Sequence, residues 1–113
     1  MNDDHTALRR AGCASVAWKD RYILIFGGRE KDRFYNDCWE YDTLNKTITS
    51  LTGMNAQSLV HVHVPEPRPR AHHTATLVGD VVYLVGGSGK GGIVDDVWCF
   101  HIKTSSWDKA QLS

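Results

Sequence analysis

Two short apolar runs dominate the pattern of the chain, Tyr22–Phe26 and Val81–Val85. Each is five residues long, too short for a helix and of the right length for a strand. An unbroken apolar run predicts a strand buried on both faces. Each follows a β-tolerant segment, Ser15–Trp18 or Thr74–Val78, across a polar turn, Lys19-Asp20-Arg21 or Gly79-Asp80. Each ends on a glycine pair, Gly27-Gly28 or Gly86-Gly87, which breaks the strand and permits backbone angles a side chain resists. After a loop, Cys38–Tyr41 and Val97–Phe100 read as third strands, and Lys46–Leu51 and Ser105–Gln111 as fourth strands. No segment carries a helical period over 11 or more residues.

The two halves are copies. With Val81 opposite Tyr22, an offset of 59 residues, the glycine pairs superpose without a gap. So do Asp37 with Asp96, Trp39 with Trp98, Tyr41 with Phe100, and Ile48 with Trp107. Arg10-Ala11 meets Arg70-Ala71 at an offset of 60, because the first hairpin turn is one residue longer. The organisation expected is a polar lead over 1–9, one repeat over 10–51, a linker over 52–69 and a second repeat over 70–113. The linker holds all three prolines, so Pro65–Pro69 should be extended, and Ser58–Val64 alternates enough for a short edge strand.

These residues resemble kelch repeats. In the second copy the resemblance lies in Arg70, His73, Gly86-Gly87, Asp96, Trp98, Phe100 and Trp107. In the first it lies in Arg10, Gly27-Gly28, Asp37, Trp39 and Tyr41, with Cys13 where the family usually has His and Ile48 where it usually has Trp. The resemblance implies an all-β fold of propeller blades, one four-stranded antiparallel sheet per repeat. It implies that strand one lines a central channel, that the arginine before it is structural and that the aromatics pack between blades. Propellers close with roughly four to eight blades. Two blades therefore predict either a piece of a longer propeller or self-association, with apolar faces left over in each copy.

Composition adds limits rather than a partner. Thirteen Lys+Arg balance thirteen Asp+Glu, which removes the general electrostatic drive toward nucleic acid or an anionic membrane. The polar start MNDDHTALRR lacks an apolar signal region, and the three cysteines form no CxxC or paired framework. Both features predict a cytoplasmic or nuclear protein with reduced thiols.

Candidate chemistry is sparse. The Gly87–Gly92 segment spells GxGxxG, but a strand pattern follows where a dinucleotide site needs a helix, and no Ser or Thr follows Lys90 for a P-loop. His61, His63, His72 and His73 cluster in sequence without a Cys or an evident carboxylate set to complete a metal site. Asp95-Asp96 lacks the opposed geometry of a catalytic pair, because Asp96 belongs to the repeat. No cofactor, metal or catalytic residue is expected. The charged loop Arg29-Glu30-Lys31-Asp32-Arg33 is the candidate partner-binding surface, since loops on rigid scaffolds carry recognition, and kelch propellers often contact partners there. Its counterpart, Ser88 to Gly92, reads as flexible and offers only Lys90. The function expected is a non-catalytic protein-interaction module, a scaffold or substrate-recognition piece. The alternatives are a fragment of a kelch-propeller enzyme, galactose-oxidase-like or sugar-epimerase-like, or a truncation without function.

Overall fold

The computed structural model describes residues 8–52 and 66–112. The first blade comprises β1 (Ala14–Trp18), β2 (Tyr22–Phe26), β5 (Cys38–Asp42) and β6 (Thr47–Ser50), with the two-residue strands β3 (Arg29–Glu30) and β4 (Arg33–Phe34) inserted. The second repeats this with β7 (Thr74–Val78), β8 (Val81–Val85), β11 (Val97–His101) and β12 (Ser106–Lys109), and β9 (Ser88–Gly89) and β10 (Gly92–Ile93) inserted. Each blade is a four-stranded sheet, ordered β1-β2-β5-β6 and β7-β8-β11-β12, with every neighbour antiparallel. The fourth strands are shorter than expected. The short edge strand expected over Ser58–Val64, with His61 and His63, lies outside the described residues.

Register decides which side chains meet. In the second blade, Leu77, Val82, Phe100 and Trp107 form one row across the sheet, and Ala75, Leu84 and Trp98 form the next. All lie on one face. In the first blade, Val16 and Leu24 pair in one row, while Ala14, Phe26 and Cys38 form another on the same face. These two faces pack together, and Leu24, Phe26, Cys38, Val82, Leu84, Trp98, Phe100, Ile102 and Trp107 make the core. Phe26 inserts edge-on between aromatics of the other blade, 5.5 Å from the Phe100 ring and 5.9 Å from Trp107.

The central strands are not buried on both faces, contrary to the pattern of their residues. Leu24 and Phe26 are fully buried, but Ile23 is 36% exposed; Val82 is buried, but Val85 is 46% exposed. The cause is geometric, because two sheets make one sheet-on-sheet interface and leave two outer faces. Trp39, Tyr41 and Ile48 therefore stand on the open face of the first blade, half-buried, while their counterparts Trp98, Phe100 and Trp107 fill the core.

A cleft between two ribbons as candidate binding site

Each glycine pair turns the chain out of its sheet. Gly27 and Gly28 have φ of 61° and 100°, and Gly86 and Gly87 have 64° and 106°. A Cβ on Gly27 would stand 2.7 Å from the Arg70 carbonyl oxygen, and one on Gly87 the same distance from that of Ala71, so neither tolerates a side chain. The chain then doubles back as a small ribbon, β3-β4 in one blade and β9-β10 in the other. Ser88 to Gly92, expected as a flexible loop, is part of this second ribbon, with Ser88 opposite Ile93 and Gly89 opposite Gly92. Only the Lys90-Gly91 tip lies outside its pairing. Two-residue strands escape pattern reading because they span no full alternation.

The arginine before each first strand locks this arrangement. Arg70 donates one Nη2 bond of 3.1 Å to Asp96 Oδ2, a second bond from Nη1 to the other carboxylate oxygen, and a third, of 3.2 Å, to the Gly86 carbonyl. The Trp98 indole donates to the same carboxylate at 2.9 Å. Arg10, Gly27, Asp37 and Trp39 repeat the set in the first blade. The bidentate guanidinium holds the Asp96 carboxyl down at about 2. His73 is buried between the two glycine pairs, and burial, then the charge of Arg70, pushes its imidazole down to about 4. Cys13 takes the equivalent place in the first blade, its Sγ 3.4 Å from the Gly27 carbonyl.

The connector laces the two ribbons together. Gly28 N–H donates to the Arg70 carbonyl, Arg70 N–H to that of Tyr35, and Ala71 and Ser88 exchange a pair of bonds, all between 2.8 and 2.9 Å. Asn36 Nδ2 adds a bond of 3.1 Å to the Pro67 carbonyl. Above this backbone floor lies a cleft of about 940 Å3. Glu30 to Tyr35 line one wall, Gly89 to Val94 the other, and Arg68 and Pro69 the floor. Among the expected partner-binding residues, Glu30, Lys31, Asp32, Arg33 and Lys90 line this one cleft, and Arg29 sits beside it on β3, exposed. Phe34, Tyr35, Ile93 and Val94 also line it; they carry no charge to mark them in the sequence, although the repeat offset pairs Phe34 with Ile93 and Tyr35 with Val94. Arg68, in the segment expected as linker, lines it as well. Tyr35 is held by two cations, with Arg10 Cζ 3.5 Å and Arg33 Cζ 5.2 Å from its ring centroid.

Among the described residues, other chemistry gathers nowhere as densely. Among the described residues no three His, Cys, Asp or Glu side chains group as a metal site. Burial pushes the Cys38 thiol well up, away from the reactive thiolate.

Comparison with known proteins follows the same lines. The KLHDC2/KLHL20/DRC7 Kelch-repeats domain matches residues 2–113. The flagellar outer arm dynein alpha chain of Chlamydomonas reinhardtii is 36% identical over 93 residues, which is 81% of this chain and 2% of that protein. Tip elongation aberrant protein 1 of Schizosaccharomyces pombe is 36% identical over 84 residues, 74% of this chain and 7% of its own length. An N-(sulfonatooxy)prop-2-enimidothioate sulfolyase of Thlaspi arvense is 30% identical over 92 residues, 81% of this chain and 24% of the enzyme. The chain thus spans a quarter or less of each of these relatives.

Proposed function

Because this chain belongs to the kelch-repeat family, we propose that it is a non-catalytic protein-binding module whose partner docks in the cleft between the two ribbons. The observation that carries this is the cleft itself, to which Lys31 and Lys90, 59 positions apart, both contribute. Its floor is hydrogen-bonded backbone, so the surface is formed before a partner arrives and little ordering entropy is lost on docking. Two arginine-held carboxylates support the non-catalytic reading. Asp96 and Asp42, each held at about 2 by an arginine, are poorly placed to move protons near neutral pH. The role is that of a scaffold or a substrate-recognition piece, and the partner is a protein. Three free cysteines support a cytoplasmic or nuclear setting.

Photo-crosslinking tests this reading. A photoreactive side chain at Ile93, on the cleft wall, should capture a protein that the same group at Leu44, in the β5-β6 turn, does not. The adduct should vanish in the Arg33→Glu, Lys90→Glu double variant. Equal capture at both positions would defeat the proposal. The sulfolyase relative raises a second reading, a piece of an enzyme. Stoichiometric copper, iron or zinc in the purified chain would favour it.

A further inference from the structure

The charges and apolar groups of the cleft specify a kind of partner. Lys31, Arg33, Arg68 and Lys90 line it against two carboxylates, Glu30 and Asp32. The chain as a whole is neutral, so the cleft concentrates positive charge that the rest of the molecule lacks. Of the nine arginines and lysines elsewhere, four are paired with a carboxylate. Arg10, Arg21, Arg70 and Lys103 each face an aspartate. Among the described residues, none of the four cleft cations has a carboxylate within ion-pair distance; Arg33 lies over Tyr35 instead. Lys31, Arg33, Arg68 and Lys90 are all exposed.

The second observation is apolar. Ile93 is 89% exposed, the most exposed of the large hydrophobic residues described. It lines the cleft with Phe34, Tyr35, Val94 and Pro69. An exposed apolar side chain set among free cations matches a ligand that is acidic at its flanks and apolar at its centre.

We propose that the cleft takes an extended protein segment in which Asp or Glu residues flank an aliphatic or aromatic side chain. This rests on the protein-binding reading above and adds its chemistry. The carboxylates meet Lys90 on one wall, Lys31 and Arg33 on the other and Arg68 on the floor, while the central side chain packs on Ile93 and Phe34. Much of the attraction is between partly exposed charges, so affinity should fall with added salt.

The test pans the full chain against a random dodecapeptide library and titrates the synthesised winners by fluorescence anisotropy. Winners should carry two or more acidic residues around an apolar one. Arg68→Glu with Lys90→Glu should weaken them by about tenfold or more, the equivalent of ~1.4 kcal/mol. Lys90→Arg should bind nearly as the parent does. Both cations are exposed, so these variants leave the core alone. Gly91→Trp is the blocking control: Gly91 lines the cleft, and beyond its two chain neighbours no described atom lies within 4 Å of the Cβ it would add, so the ring is accommodated without displacing the fold. Neutral or basic winners that Gly91→Trp abolishes would overturn the acidic preference and leave the cleft as the docking site. Winners indifferent to Gly91→Trp, or no winners at all, would overturn both.

Discussion

Asp96 joins three parts of the second blade through one carboxylate, receiving the Arg70 guanidinium and the Trp98 indole while Arg70 also caps the Gly86 carbonyl. Arg70 is 1% exposed. Asp96→Asn would leave that buried cation without its counter-charge, at a cost of about 3–5 kcal/mol, seen as a lower urea midpoint. The pH dependence follows from three depressed groups. His73 falls to about 4 from an ordinary 6.5. Its unfolded form takes a proton first as pH falls, so stability drops from pH 6.5 toward 4, by at most ~1.4 kcal/mol per pH unit for one group. Asp96 and Asp42, each at about 2, contribute stability that is present above pH 4 and lost as pH falls toward 2. His73→Leu should flatten the upper limb of the denaturation profile and leave the lower limb in place. An unchanged upper limb would place that titration on another histidine.

At the scale of elements, the interface between blades rests on a few rings. Phe26→Ala or Trp107→Ala should each cost about 3–5 kcal/mol in unfolding free energy, because each ring packs across the interface against the other. The glycine pairs differ in a way that the repeat alone hides. Gly27→Ala meets the Arg70 carbonyl at 2.7 Å, whereas for Gly86→Ala the nearest atom is the Val94 carbonyl at 3.5 Å. Both positions have positive φ, yet the first substitution should lower the thermal midpoint more. The main strands were legible because apolar runs and turn residues recur in both copies. The ribbons were not, since Arg29-Glu30 and Ser88-Gly89 carry no alternation and are paired by backbone alone. The face assignment of Trp39 and Tyr41 was also hidden, because it depends on how many sheets are present. In the cleft, charge marked Arg29–Arg33 and Lys90, while the apolar members emerge only when both ribbons stand side by side.

The molecule as a whole has two unlike open faces. The first blade exposes the side with Ile23, Trp39, Tyr41 and Ile48, and the second the side with Tyr83, Val85, Val97 and Cys99. By the repeat, the first of these matches the face that the second blade already buries, and the second matches the face the first blade buries. A contact between them is head-to-tail, so the isolated chain should associate or unfold readily. Light scattering on a size-exclusion column should give a mass above 12.7 kDa or a poorly structured species; a stable, well-ordered monomer would show that the open faces need no cover. Protein binding at this site requires a cleft built before any partner arrives. Amide hydrogen exchange on the free chain measures this directly, through Gly28, Arg70, Ala71 and Ser88, whose N–H groups lace the ribbons to the connector. Protection of these four amides close to that of the central strands β2 and β8 is the predicted result. Exchange at the rate of an open loop, with β2 and β8 still protected, would contradict it.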